Sequence, residues 1–143
     1  MVNDKNSKKN FNIEDEINNI MQKHSNIGGV STFIGYVRNI NNKKKVKLIK
    51  LEVYKDMAKK SLLDISLKAQ ERWNIIDILI IHRFGKLPIN EKIVLIATFS
   101  IHRKDSFESC NFIMNYLKQK APFWKKEFYN DSYKWLENTK SKS

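Results

Sequence analysis

Four lysines surround a proline in the segment LKQKAPFWKKE, which spans residues 117–127. Lys118 precedes Pro122, and Lys125 and Lys126 follow it. Because proline fixes its own φ and biases the preceding residue away from helix, the helix that carries Lys118 is predicted to end just before the proline. Lysines that meet from both sides of such a break can form an anion site. Alternatively, an amine held away from water has a lowered pKa and can act chemically.

A second basic pair, His102 and Arg103, directly follows the strand-like run VLIATFSI. If a strand ends and a helix begins there, the pair lies at a helix N-terminus, where unpaired N–H groups attract anions. The residue types therefore predict a basic pocket for a small phosphorylated anion, although the same charge also allows an acidic protein partner. The cations expected to line this pocket are Arg38, His102, Arg103, Lys118, Lys125 and Lys126.

Other candidate side chains have simpler explanations. Cys110 lies on the apolar side of a predicted helix and is interpreted as a core thiol rather than a nucleophile. His24 is expected at the surface near a helix end, whereas His82 ends a strand and is left as either structural or catalytic. The carboxylates form no evident acid–base pair. Neither a metal-ligand spacing nor a glycine-rich phosphate loop is present in the sequence, so we expect no metal and no nucleotide cofactor.

Composition restricts the class of protein. The chain has 143 residues, 41% of them hydrophobic, which suits one folded domain. Its 27 Lys+Arg against 15 Asp+Glu give a net charge of +12, which favours an anionic partner. A lysine-rich proteome would account for part of that surplus. The single cysteine suits a reducing compartment, and neither a secretory signal nor a membrane-spanning run is visible, so we expect a cytoplasmic protein without membrane contact.

Periodicity predicts the elements that position these residues. Ile13, Ile17, Ile20 and Met21 recur at helical spacing, with Asn12 as N-cap and Asp15 three residues later. Strands are expected at Val30–Val37 and, with a possible bulge, at Val46–Tyr54, separated by a Lys/Asn loop at residues 39–47. A helix is predicted over Met57–Trp73.

The second half of the chain continues with two Ile/Val-rich runs, Ile75–His82 and Lys92–Ser100, which are interpreted as buried strands. The connecting segment RFGKLPINE is a turn region. A further helix begins at Lys104 or Asp105, and the residues expected to face the core are Phe107, Cys110, Met114 and Leu117. Residues 122–137 are aromatic and basic.

This order of elements predicts an α+β domain with a mixed or antiparallel sheet and about three helices. We expect residues 1–11 to be a flexible N-terminus, residues 12–137 to form a single domain, and residues 138–143 to be a flexible tail. The sequence contains no internal repeat.

Several blocks of the chain resemble a known family. GGVSTFIGYVRN, LEVYKDMA, IIHRFGKLPINE and ATFSIHRKDSFESCNFIMNYLKQKAPFWKKE, in this order, are similar to the large, catalytic subunit of molybdopterin synthase, and the resemblance extends from Gly28 to Glu137. It implies an α/β-hammerhead-like fold. It also implies an enzyme that adds two sulfurs to cyclic pyranopterin monophosphate as a dithiolene. The sulfur would come from the C-terminal Gly-Gly thiocarboxylate of a small ubiquitin-like subunit, within a heterotetramer built on a homodimer of this chain.

Residue by residue, the resemblance implies that the essential lysine pair is Lys118 and Lys125. Arg38, His102 and Arg103 fall on the family's substrate-anion contacts. The neighbouring positions expected to border the substrate are Tyr36, Val37, Lys126 and Glu127. An arginine and a second basic group can hold a phosphate, and a histidine can transfer a proton near neutral pH.

The sequence departs from the family pattern past Trp135, where a further arginine is expected to reach across the dimer. Thr139 occupies that place here, and Lys140 lies one residue further on, but a lysine cannot reproduce a bidentate arginine. Two alternative functions remain. One is a non-catalytic scaffold that binds a ubiquitin-like protein. The other is a nucleic-acid-binding module, which would use the Lys-rich loop and the aromatic C-terminal segment and bind with steep salt dependence.

Overall fold

The computed structural model describes residues 2–7, 9–41, 44–120, 123–128 and 133–136. Over these residues the chain is α+β with three helices, as the sequence predicts, and its strands form three sheets rather than one. One of two four-stranded sheets, called the main sheet below, has the strand order β1-β6-β8-β2; among its described pairs, β1 with β6 is parallel and the others are antiparallel. Its strands are β1 (Val2–Ser7), β2 (Gly29–Tyr36), β6 (Ile75–Arg83) and β8 (Lys92–Ser100).

Strands β6 and β8 are apolar along almost their whole length because helices cover both faces of the sheet. Ile78 and Ile80 of β6 pack with residues of α2 (Lys55–Arg72) and α3 (Arg103–Lys120). Leu79 and Ile81 alternate to the other face and pack with α1 (Ile13–Met21). The side-chain period of two therefore divides one apolar run between two core clusters.

The second four-stranded sheet has the strand order β10-β9-β5-β7. It consists of β5 (Leu48–Val53), β7 (Gly85–Pro88), β9 (Phe123–Phe128) and β10 (Tyr133–Leu136). Ile49, Leu51 and Leu87 form its core with Val37 and Val46, all at most 5% exposed. All of its strand pairs are antiparallel, and β5 pairs with both β7 and β9 without a register shift, so the bulge expected in β5 is absent.

Helix α1 begins as its sequence predicts. The Asn12 side chain accepts a hydrogen bond from the Asp15 N–H at 3.0 Å, which satisfies one of the unpaired donors of the first turn. Helix α2 begins two residues before its predicted start. Trp73, at its C-cap, packs against Phe112 of α3 with ring centroids 5.1 Å apart and the rings tilted by 60°.

Several expectations from sequence are wrong. Within the N-terminus expected to be flexible, Val2–Ser7 forms β1 and pairs in parallel with β6; its polar composition gives no sign of a strand that needs a partner to form. The predicted loop at 39–47 contains a short hairpin of β3 (Ile40–Asn41) and β4 (Lys44–Lys45). The turn region after β6 contains β7. Residues 138–143 lie outside the described residues.

Phe107 was also misplaced, since its side chain is 65% exposed rather than in the core. The buried stripe of α3 instead passes through Ser106, Ser109, Cys110, Ile113 and Leu117. In the first turn this stripe is polar, so an apolar pattern alone selects the wrong residue at that end of the helix.

Candidate functional site

The candidate cations lie at two opposite ends of helix α3. His102 and Arg103, both exposed, are at its start, directly after β8, whereas Lys118 is in its last turn. With a rise of 1.5 Å per residue, the fifteen helical steps from Arg103 to Lys118 separate their backbones by about 22 Å. Within a single chain, therefore, the six predicted cations do not all line one pocket.

The end that carries Lys118 also carries Arg38. Helix α3 packs on β8 and β2, and its Leu117 belongs to the same core cluster as Val94 near the start of β8. The start of β8 is paired with the end of β2, where Lys92 is opposite Tyr36, and the Val37 N–H donates to the Glu91 carbonyl at 3.0 Å. Tyr36, buried Val37 and exposed Arg38 therefore lie at the same end of the sheet as Lys118.

Strand β9 places Lys125 and its neighbours by backbone register. Lys125 is opposite Leu51 of β5, Lys126 is opposite Lys50, and Glu127 is opposite Ile49. Consecutive residues of a strand alternate between faces. Lys125 and Glu127 thus occupy register positions next to the buried residues of β5, whereas Lys126 occupies that of Lys50, whose side chain is 39% exposed. The backbone register therefore places Lys125 and Lys126 opposite two consecutive residues of β5, Leu51 and Lys50.

At the other end of α3, a glycine and a buried hydroxyl fix the turn that presents His102. The Gly28 N–H donates to the Ser100 carbonyl at 2.9 Å, and a Cβ built on Gly28 would lie 2.2 Å from the Ile101 carbonyl oxygen. Only glycine fits such a close approach. The Ser100 hydroxyl, on a fully buried residue, donates to the His102 carbonyl at 2.5 Å. The His102 backbone is thereby held in one place.

The first turn of α3 rests on a cluster of buried hydroxyls. Ser106 donates its Oγ–H to the Arg103 carbonyl at 2.9 Å and accepts from Ser31 Oγ of β2 at 2.9 Å. The Ser106 carbonyl accepts from Thr98 Oγ1 at 2.7 Å and from Ser109 Oγ at 3.3 Å. Buried hydroxyls that are all hydrogen-bonded stabilise a single arrangement, so Arg103 extends from a rigid base.

Two side chains that the sequence left open have a structural environment. His82 is buried, and desolvation lowers its pKa from 6.5 to about 4, although a hydrogen bond between its Nδ1 and the Arg83 carbonyl, 3.0 Å away, opposes part of the shift. It is therefore neutral at pH 7. Burial raises the pKa of Cys110 to about 11, so this residue stays a thiol and not a nucleophilic thiolate.

Sequence reasoning missed a hydrogen-bonded contact between His24 and Asp77. The Asp77 carboxylate is fully buried, with Oδ2 at 2.8 Å from His24 Nε2. Its Oδ1 accepts from Asn3 Nδ2 at 2.6 Å and from the Ile78 N–H at 2.9 Å. These bonds join β1, β6 and the segment after α1. An aspartate inside the apolar run IIDILIIH was the available signal, because a buried carboxylate needs partners.

Metal and membrane features are absent from the parts of the chain that the structure describes. Within them, no three His, Cys, Asp or Glu side chains are grouped so that they could hold a metal ion. None of the helices there is long and apolar enough to cross a membrane.

Comparison with known proteins gives one consistent result. The family model of the MoaE protein matches residues 6–120. The molybdopterin synthase catalytic subunit of Ralstonia nicotianae is 44% identical over 89% of this chain and 72% of its own length. That of Vibrio cholerae is 41% identical over 94% of this chain and 89% of its own.

Solved structures agree in fold. A molybdopterin biosynthesis MoaE protein from Burkholderia ambifaria superposes with a TM-score of 0.85 at 36% identity, covering 100% of this chain and 93% of that one. Molybdopterin synthase from Staphylococcus aureus gives a TM-score of 0.84 at 31% identity, over 92% of this chain and 95% of that one. The match over residues 6–120, with relatives of this identity and coverage, shows that the chain belongs to the MoaE family of molybdopterin synthase catalytic subunits.

Proposed function

We propose that this chain is the catalytic subunit of a molybdopterin synthase. It transfers sulfur from the C-terminal thiocarboxylate of a small ubiquitin-like subunit to cyclic pyranopterin monophosphate and so forms the dithiolene of molybdopterin. A dithiolene contains two sulfurs, so each product consumes two thiocarboxylates. Membership in the MoaE family is the observation that carries this proposal. The position of Lys118 and Arg38 at one end of the main sheet supports it.

The proposed roles follow the chemistry of each side chain. Lys118 and Lys125 are the catalytic pair, which faces the thiocarboxylate and the pterin and supplies a proton or a positive charge as sulfur is added. Arg38 holds the phosphate, since a guanidinium binds an oxyanion through two parallel hydrogen bonds. Tyr36 and Val37 border the substrate, with Lys126 and Glu127 flanking the catalytic block.

His102 and Arg103 join this site from a second copy of the chain. About 22 Å of helix separates Arg103 from Lys118 in one chain, which is too far for both to contact one pterin phosphate. A two-fold dimer resolves the distance, because each copy then offers its α3 start to the α3 end of its partner. Ile101 and Phe107 flank the pair and are 44% and 65% exposed, which fits an apolar contact between copies.

The expected assembly is a heterotetramer, in which one small subunit binds each end of the central homodimer. The sulfur has already been activated on the small subunit, so the transfer needs no metal or nucleotide on this chain. The proposed partners are thus a second copy of this chain, the small sulfur-carrier subunit and the substrate cyclic pyranopterin monophosphate. Neither nucleic acid nor membrane is a partner. The proposed location is the cytoplasm.

A turnover assay tests the proposal. Purified protein is mixed with thiocarboxylated small subunit and cyclic pyranopterin monophosphate, and molybdopterin is quantified. Lys118→Ala is expected to lower turnover at least about 100-fold, because it removes the amine that supplies a proton or a positive charge as sulfur is added. Lys60→Ala, an exposed lysine of α2, is the matched control and should leave turnover unchanged.

The other outcomes distinguish the alternatives. Small-subunit binding without product in the wild-type protein would indicate a non-catalytic scaffold. Salt-dependent binding of generic oligonucleotides, without small-subunit binding, would indicate a nucleic-acid module. Full turnover by Lys118→Ala would contradict the assignment of the catalytic lysine.

A further inference from the structure

A buried arginine lies behind the segment that carries Arg38. Arg83 ends β6 with its side chain only 6% exposed, and its Nη1 donates to Glu91 Oε1 at 3.0 Å and to the Lys92 carbonyl at 3.1 Å. Because one nitrogen bonds both the side chain of Glu91 and the backbone of Lys92, the guanidinium fixes the point where the turn after β7 enters β8. A charge this deeply buried is retained only with such partners.

That turn is bonded directly to Val37. The Val37 N–H donates to the Glu91 carbonyl at 3.0 Å, and the Asn90 N–H donates to the Val37 carbonyl at 2.9 Å. Asn90 has a φ of 70°, a left-handed conformation that asparagine tolerates better than most residues. Val37 therefore has both backbone groups tied to residues 90 and 91, and the next residue in the chain is Arg38.

The pairing of β2 with β8 also changes at this point. Gly35 is opposite Val94 and Tyr36 is opposite Lys92, so Ile93 is an extra residue on β8. Such a bulge bends the strand and redirects the side chains beside it, and bulges recur next to active sites. The direction in which the chain leaves β2 toward Arg38 thus depends on the exact position of residues 91–93.

We propose that Arg83 and Glu91 are positioning residues for Arg38. Their ion pair holds the turn at residues 90–92, the turn holds both backbone groups of Val37, and Val37 holds Arg38 against the anion of the substrate. Neither residue contacts substrate in this arrangement, since the Arg83 guanidinium is buried and the Glu91 carboxylate faces it. The role of Arg38 in this inference rests on the proposed function. The connection from the Arg83–Glu91 pair through the turn to Val37 rests on the hydrogen bonds of the structure alone.

The informative variant is Glu91→Gln, which keeps a side-chain oxygen for Arg83 but removes the charge. Arg83→Lys is the second variant, since it keeps a charge but cannot bond the carboxylate and the Lys92 carbonyl with the same geometry. Glu52→Gln is the matched control, because Glu52 forms an exposed pair with Lys50 at 3.6 Å and lies on β5 rather than in the turn at residues 90–92.

Two readouts are combined. Amide hydrogen exchange on the protein alone reports the link, and the Val37 and Asn90 amides are expected to lose protection in Glu91→Gln while the amides of β6 keep theirs. Steady-state turnover reports the consequence, and KM for the pterin is expected to rise about tenfold with a smaller change in kcat, because a displaced contact weakens substrate positioning. Glu52→Gln should change neither.

A double-variant comparison separates positioning from general destabilisation. If Glu91 acts through Arg38, Glu91→Gln should add little to the KM of Arg38→Ala, since coupled residues are not additive. Fully additive effects would overturn the proposal, as would unchanged protection at Val37 in both Glu91→Gln and Arg83→Lys. If the Val37 amide lost protection in Glu91→Gln but the wild-type protein showed no turnover, the result would contradict the proposed function. It would still support the connection from Glu91 to Val37.

Discussion

Arg103→Ala and Lys118→Ala, placed on different copies of the chain, test whether the site is shared between two copies. Their backbones are about 22 Å apart within one chain, which exceeds the span of a single phosphate contact. Arg103→Ala is expected to lower kcat/KM about 10- to 100-fold, the usual consequence of losing a charge-assisted hydrogen bond. Lys118→Ala is expected to be at least as severe. Neither change is in the core, because Arg103 is exposed and Lys118 lies in the last turn of α3.

The two variant chains are co-expressed with different affinity tags, and only the dimers that carry both tags are purified. If each site takes Lys118 from one chain and Arg103 from the other, one site of this mixed dimer receives both intact residues. The other site lacks both. The mixed dimer is therefore expected to show about half of wild-type turnover at substrate concentrations below KM.

The reciprocal dimer sharpens the comparison. A chain carrying both substitutions is paired with a wild-type chain, so each shared site then lacks one group, and turnover should be nearly lost. If instead the site were built within one chain, the results would exchange: the first dimer would be inactive and the second would keep about half of wild-type turnover. That reversed pattern would refute the distance reasoning.

Two further substitutions test the surroundings of the site. Gly28→Ala should displace the Ile101–His102 turn and cost about 2 kcal/mol of stability, since its Cβ would lie 2.2 Å from the Ile101 carbonyl oxygen. Gly29→Ala, whose nearest contact is 3.9 Å away, should unfold in urea like wild type, and equal midpoints for both variants would contradict the steric account. His82 has a folded pKa of about 4, below its unfolded value of 6.5, so it contributes stability above pH 6.5 that is lost as the pH falls toward 4. Between pH 7 and pH 5 that loss amounts to about 2 kcal/mol of unfolding free energy. Urea unfolding of His82→Asn at both pH values should lack this difference. A pH dependence equal to that of wild type would show that His82 does not titrate on unfolding.

The local sequence pattern is sufficient to predict an element whose stabilising contacts lie within its own few residues. Asn12 and Asp15 form a cap within four residues, so α1 was predicted with its N-terminal hydrogen bond. The Ile/Val-rich runs of β6 and β8 were equally clear. In contrast, β1 and the hairpin of β3 and β4 have polar sequences and form only because a partner strand is present, which no single segment reveals.

Long-range pairs were the harder part. The partner of Asp77 is 53 residues away in the chain, and Arg83 and Glu91 face each other across a turn that was expected to contain no strand. Phe107 was placed in the core because apolar spacing does not show that the first turn of α3 is buried through serines instead. Hydroxyl clusters of this kind depend on β2 and β8 lying beneath the helix.

The sequence by itself determined the residue types of the site, the α+β class and the family, because these depend on local spacing and on blocks of consecutive residues. Only the tertiary structure decided which cations share a location. The eighteen residues of helix α3 carry Arg103 and Lys118 to opposite ends of the helix, and the pairing of β9 with β5 sets where the backbone of Lys125 and Lys126 lies. Proximity along the chain and proximity in space are different quantities, and packing on the sheet sets the second.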